Sequence, residues 1–253
     1  MTLSKTGQKL VQITDTHIYG DPAARLAGTD TRKTFIEVLD LICSSHSSYH
    51  LVLTGDISMD GSEASYKWIF EQLKSRNQTY SILPGNHDSI EPWGSIFSEV
   101  SSDFPTFVSV APWKFVYLNT QVQNEEYGQV CSESLKFLRS QTTAEDASFL
   151  VIFMHHPPFP VGSKWIDKIG LKSGRDEFLR IIQNPKIKLV VSGHVHQESQ
   201  MEIGTVKLVT SPSTCVQFKP YSDVFALGSS NPGYRLITLW ENGEFSTEVV
   251  RLT

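Results

Sequence analysis

The segment from Ile187 to His196 constrains this chain most. Ile187 to Val191 is largely apolar and reads as a buried strand. Ser192 and Gly193 end it, and His194 and His196 follow with one residue between them. In extended backbone, residues i and i+2 point to the same side. Both imidazoles are therefore expected to face one point just beyond the strand, and imidazoles suit divalent metals.

The same punctuation recurs along the chain. Lys9 to Thr14 reads as a strand that stops at Asp15-Thr16-His17. His50 to Thr54 stops at Gly55-Asp56, and Thr79 to Leu83 stops at Pro84-Gly85-Asn86-His87-Asp88. Phe149 to Met154 stops at His155-His156. Helices are predicted between the first strands. One starts near Thr31, capped by Asp30, with Phe35, Val38, Leu39 and Ile42 on its core face. Ser62 caps a second that carries Tyr66, Ile69, Phe70 and Leu73, and Ser132 is expected to cap a short third. This alternation implies parallel strands with right-handed crossovers. Phe115 to Asn119 is a further strand, while 90–112 shows no clean period. The stretch from Phe159 to Ser173 reads as a long loop of the kind that often forms a lid. Short alternating strands after His196 suggest a second, more antiparallel sheet.

Six of eight histidines fall in these strand tips, and in α/β sheets ligands bind beyond the carboxyl ends of strands. His46 and His50 fall at a helix end and a strand entry, where they are expected to be solvated. Asp15, His17, Asp56, Asn86, His155, His194 and His196 offer hard oxygen and borderline nitrogen donors without a thiolate. That set suits manganese, iron or zinc better than a cysteine-rich structural zinc. Seven donors exceed what one tetrahedral ion needs, and they suit two ions if Asp56 bridges. Two divalent ions against two carboxylates and a hydroxide leave a charge of about +1, which attracts a phosphate.

The net charge of −5 argues against a protein that grips a nucleic-acid polymer. No apolar run reaches membrane-spanning length or has the flanks of a signal peptide. Cys43, Cys131 and Cys215 match neither a zinc ribbon nor a disulfide framework. A reducing cytoplasm with buried or inert thiols is expected, and residues 1–253 read as one domain.

The ordered motifs Asp15-x-His17, Gly55-Asp56, Gly85-Asn86-His87-Asp88, His155-His156-Pro157-Pro158 and Gly193-His194-Val195-His196 resemble the calcineurin-like metallophosphoesterase superfamily. Within it, Gly55 to Gly61, Trp165-Ile166-Asp167, Ser211 to Pro220 and Pro232 to Arg235 resemble the bacterial class III 3′,5′-cyclic-AMP phosphodiesterases. The resemblance implies an α/β fold, a four-layer αββα sandwich with two mixed β-sheets, in which 200–253 complete the second sheet and the site rim. It implies one metal on Asp15, His17, Asp56 and His196, and a second on Asp56, Asn86, His155 and His194. Iron and manganese are the expected pair, with zinc or cobalt as alternatives. His87 is implied as acid or oxyanion stabiliser, with Asp88 orienting it. Asn86, His87 and His196 are expected to meet substrate; His156 is either a further substrate contact or a wall residue behind the ligands, and Tyr19, Asp60, Trp165 and Ser211–Phe218 either line the pocket or pack.

The implied reaction opens cyclic AMP to 5′-AMP through in-line attack of a metal-bridging hydroxide. The partner is then a small cyclic nucleotide or phosphodiester. Neither a nucleic-acid polymer nor a membrane is expected, and a homodimer is compatible with the sequence. Rival readings are a glycerophosphodiesterase of the same fold, a protein phosphatase, and a non-catalytic scaffold.

Overall fold

A computed structural model describes residues 7–97, 104–146 and 148–253. Part of the aperiodic 90–112 stretch, 98–103, lies outside the described residues. Strands β1 (Gln8–Ile13), β2 (His50–Thr54) and β3 (Tyr80–Leu83) run parallel, as the alternation with α1 (Thr31–Ser45) and α2 (Glu63–Ser75) requires. Asp30 and Ser62 accept hydrogen bonds from Lys33 N and Ser65 N and cap those helices. After α3 (Ile90–Ile96) come β4 (Thr106–Val110), β5 (Trp113–Leu118) and β6 (Gly128–Gln129). Next are α4 (Ser132–Thr143), β7 (Phe149–Met154), α5 (Lys164–Asp167), β8 (Leu171–Ser173) and α6 (Arg175–Ile181). Strands β9 (Ile187–Ser192), β10 (Ser199–Ile203), β11 (Val206–Thr210), β12 (Gly233–Leu239) and β13 (Phe245–Arg251) complete the order. Ser132 is the first residue of α4 and not its cap, which is Cys131.

Two mixed sheets result, in the orders β13-β12-β1-β2-β3 and β10-β11-β9-β7-β5-β4, with β6 and β8 paired apart. The carboxy-terminal strands therefore do not make a separate antiparallel sheet. Strands β10 and β11 extend the six-stranded sheet, and β12 and β13 extend the five-stranded one. The reason is that β12 pairs with β1, whose outer edge would otherwise be unpaired.

Three apolar clusters explain the layers. Leu10, Val52, Leu83 and Ile237 of one sheet meet Phe115, Phe153, Leu189 and Val191 of the other. On the outer faces, Val11, Ile13 and Leu53 pack against Phe35, Val38 and Ile69 of α1 and α2. Ile152, Met154 and Val190 pack against Leu138 and Phe178 of α4 and α6. Side chains alternate between faces along each strand, so each sheet buries both, and a four-layer αββα sandwich follows. Phe159, Val161, Ile166 and Leu171 are buried within the third cluster. The expected loop is thus an anchored wall with one turn of helix, and not a detached lid. Among the described residues, no helix is long and apolar enough to cross a membrane. Cys215 alone of the three thiols is buried; Cys43 and Cys131 are exposed. His46 donates or accepts at Tyr234 Oη (2.9 Å) and His50 at Ser81 Oγ (2.9 Å), so both are half-buried and partnered.

Candidate metal centre

The carboxyl ends of β1, β2, β3, β7 and β9 meet at one edge of the sandwich. Three of them, β1, β2 and β9, leave their sheets through left-handed backbone. Asp15, His17, Asp56, His194 and His196 have φ of 54°, 45°, 50°, 70° and 45°. Such values are uncommon outside glycine and point to a site that over-determines them. They also change the alternation expected of an extended chain. His194 and His196 do not face one point: His194 groups with His155 and His156, while His196 groups with Asp15 and His17. Glycine is required where the loops touch. A Cβ at Gly85 would collide with Asp56 Oδ1, and one at Gly193 with Thr14 Oγ1.

His196 donates Nδ1–H to the Val216 carbonyl at 2.8 Å, which leaves Nε2 as a lone pair. That lone pair lies 3.4 Å from Asp15 Oδ1 and 3.0 Å from His17 Nε2. His155 donates Nδ1–H to the Thr54 carbonyl at 2.8 Å, so its Nε2 faces Asp56 Oδ2 at 3.3 Å and Asn86 Oδ1 at 3.2 Å. Asn86 Oδ1 also lies 3.1 Å from His194 Nδ1, and His194 Nε2 is buried without a hydrogen-bond partner among the described residues. Asp56 Oδ2 lies 3.7 Å from His17 Nε2, so this carboxylate touches both groups.

Among the described residues, no lysine or arginine pairs with Asp15 or Asp56; their ion-pair partners are His17, His155 and His196. Burial pushes the Asp56 carboxyl up, but His155 beside it outweighs this and holds it well below the usual range. Burial likewise opposes ionisation of Asp15, and His196 outweighs it. Burial and neighbouring imidazoles drive His17 and His194 down to about 3, despite Asp56. Burial disfavours a His155 cation, but Asp56 and Asp15 raise it to about 9. Buried carboxylates, imidazoles and an amide oxygen converge on one space, and a carbonyl fixes the outer nitrogen of two imidazoles so that the other nitrogen points inward. That is the donor arrangement a pair of divalent cations requires.

Three expected roles need correction. Asp88 does not orient His87. Its carboxylate accepts from the N–H groups of Gly85 (2.8 Å), Ile57 (3.2 Å) and Ser58 (3.0 Å) and from Tyr66 Oη (3.0 Å). It therefore ties the Asp56 and Asn86 loops together. His156 has both ring nitrogens engaged, Nδ1 with Thr120 Oγ1 (2.8 Å) and Nε2 with the Glu126 carbonyl (3.1 Å). Burial holds it neutral, well below its ordinary pKa, and it stands as a wall behind His194, outside the residues that line the cavity. Asp60 spends its oxygens on Gly20 N, Ser62 N and Ser58 Oγ, which makes it a loop brace. His87 stays in the site: its N–H donates to Asp56 Oδ1 at 2.9 Å and its ring is 5.0 Å from that of His17.

The cavity at this edge, about 210 Å³, is lined by His17, Asp56, Asn86, His87, His194 and His196, and by Trp165, Val216 and Phe218 as expected. Tyr19 is not among its lining residues. Phe225, Leu227, Leu26 and Glu126 also line it, from loops whose sequence carries no period. The profile of the calcineurin-like phosphoesterases matches residues 8–198. The chain belongs to the calcineurin-like phosphoesterase family. Its relatives include the 3′,5′-cyclic adenosine monophosphate phosphodiesterase CpdA of Vibrio vulnificus, 36% identical over 99% of this chain and 92% of that protein. The protein of the same description from Pseudomonas aeruginosa is 34% identical over 96% of this chain and 89% of its own length. In fold, the chain is similar to a dimetal phosphatase from Danio rerio, with a TM-score of 0.66 and 16% identity over 98% of this chain and all of that one.

Proposed function

We propose that this chain is a binuclear-metal phosphodiesterase that hydrolyses 3′,5′-cyclic AMP to 5′-AMP. The observation that carries the reading is the inward convergence of nitrogen and oxygen ligand atoms on Asp56, which lies against both His17 and His155. Near full-length similarity to proteins described as cyclic-AMP phosphodiesterases supports the substrate. In this reading Asp15, His17, Asp56 and His196 hold one ion, and Asp56, Asn86, His155 and His194 the other. Iron with manganese is the pair we favour for this donor set. Bound there, such ions supply Lewis acidity and an activated water.

The residues supply the rest. Asn86 and His196 face the cavity from opposite groups and position the phosphate between them. Hydrolysis adds a hydroxyl to phosphorus and breaks its bond to the 3′-oxygen, which must leave as an alcohol. His87 is half-buried, lines the cavity, and has its backbone pinned to Asp56. It delivers the proton to that oxygen as the bond breaks. We read residues 1–253 as one domain that works in the cytoplasm as a small-molecule enzyme, in keeping with its unpaired thiols.

The test is direct. Purified, metal-loaded protein is assayed for bound metal by elemental analysis and for 5′-AMP formation from cyclic AMP. Two bound ions without 5′-AMP refute the substrate, and protein that retains no metal refutes the centre.

A further inference from the structure

We propose that Trp165, Phe218 and Phe225 form a stacking shelf for the nucleobase of the substrate, with Phe225 as its solvent-facing ring. This rests on the phosphodiesterase reading and adds the part of the substrate that reading leaves unassigned.

The shelf begins against the metal ligands. Phe218 stacks on His196, with ring centroids 4.0 Å apart and planes 8° from parallel. Trp165 meets Phe218 edge-on at 5.0 Å and Phe225 at 5.2 Å, and Phe225 meets Phe218 at 5.6 Å. All three rings line the cavity that also holds His17, Asp56 and His87. The loop that carries Phe225 is fixed in place. Lys219 N donates to Ala226 O at 2.8 Å, and Gly228 N donates to Gln217 O at 2.9 Å. Lys164 pairs with Asp223 at 2.7 Å, which ties the loop to α5 beside Trp165.

Phe225 is nonetheless 59% exposed. A large apolar ring left in water at the mouth of a site gains free energy when apolar surface covers it, and a flat group covers most of its face. A cyclic nucleotide has the matching shape: a charged phosphate, one sugar, and a π-face. A glycerophosphodiester has no such face. Every base has one, so stacking favours nucleotides as a class. The polar groups near the shelf add no further code. Trp165 Nε1 is shut off from solvent, and a carboxylate at Glu126 would accept N–H donors that both adenine and guanine present. The shelf therefore reads a planar base and not the hydrogen-bonding pattern of adenine.

Isothermal titration of the metal-loaded protein with 5′-AMP and with ribose 5-phosphate tests this, because the two differ in the base alone. The wild type should bind 5′-AMP roughly 10- to 100-fold more tightly, the range expected of a base–aromatic stack. Phe225→Ala should lose most of that preference, and Phe225→Tyr should keep it. An exposed ring can be removed without unfolding the chain, and an unchanged Tm checks this. Equal affinity for the two ligands in the wild type, or an undiminished preference in Phe225→Ala, overturns the shelf. Cyclic AMP turnover by the same preparation scores the activity separately. Turnover without a base preference sinks the shelf alone; a base preference without turnover sinks the activity alone.

Discussion

His155 Nδ1 donates to the carbonyl oxygen of Thr54 at 2.8 Å, and this one bond decides what the other side of the ring does. It leaves Nε2 facing Asp56 Oδ2 at 3.3 Å, where a proton or a metal ion is needed between two electron-rich atoms. Burial opposes the cation, yet Asp56 raises the His155 pKa to about 9, so the metal-free protein keeps a proton there at pH 7.

Metal must displace that proton, so loading at pH 7 should release about one proton through this residue. Affinity for metal should climb as pH rises towards 9. Calorimetry in buffers of different ionisation enthalpy measures the release, and pH-independent binding without release would contradict the assignment. Stability follows the same linkage. A pKa raised from 6.5 to about 9 contributes stability that is complete below pH 6.5 and lost as pH rises through 9. The metal-free protein should therefore lose Tm between pH 6.5 and 9.5, and the loaded protein should not show this loss.

Asp56 serves both groups, so its removal should not be selective. Asp56→Ala also releases the His87 N–H that Oδ1 holds at 2.9 Å. Bound metal and turnover should fall together, turnover by roughly 10²-fold or more, since even outer hydrogen-bond partners of metal ligands cost 10- to 100-fold. Elemental analysis beside initial rates checks this. Two retained ions with near-normal rate would exclude Asp56 as the bridge.

The apolar runs were legible because burial on both faces of a strand leaves an uninterrupted signal, as in His50–Thr54 and Phe149–Met154. Strand β4 was not, because it is an edge strand that exposes Phe107 and Val108 on consecutive positions. The site residues were legible as strand-end punctuation. Their division between two groups was not legible from spacing, since the i and i+2 rule assumes extended backbone and His194 and His196 are left-handed. Spacing is equally silent on Asp88, whose neighbour His87 suggested a pair. Three backbone N–H groups claim its oxygens instead, and only the fold brings Ile57 and Ser58 to it. Phe225 gave no signal because Tyr221 and Val224 lie beside it in the same loop, and spacing does not say which of these side chains reaches the site.

Asp88 should therefore behave as a structural brace. In Asp88→Asn the amide must turn donors towards N–H groups that already donate, leaving at least one buried donor unsatisfied. A loss of about 3 kcal/mol is expected, or roughly 6–12 °C in Tm for a chain of this size. The pH–rate profile should keep its shape while the rate falls with loosened metal binding. A shifted acidic or basic limb with unchanged Tm would restore Asp88 as the partner of His87.

His87 sits beside the ligands, and among the described residues no carboxylate is hydrogen-bonded to its ring, so its contribution should depend on the leaving group. A ribose 3′-oxygen is a poor leaving group and benefits from a proton as its bond to phosphorus breaks; a nitrophenolate leaves without one. His87→Ala should lose roughly 10²- to 10⁴-fold on cyclic AMP, the usual size of general acid catalysis. It should lose far less on bis-(p-nitrophenyl) phosphate, with bound metal unchanged. An equal loss on both substrates would mean that His87 stabilises charge on the phosphoryl oxygens, which every substrate develops. No loss on either would remove it from the chemistry. His156 could not take its place, because Thr120 and the Glu126 carbonyl occupy both of its nitrogens. The comparison isolates one atom, since both substrates meet the same ligands and differ mainly at the oxygen that departs.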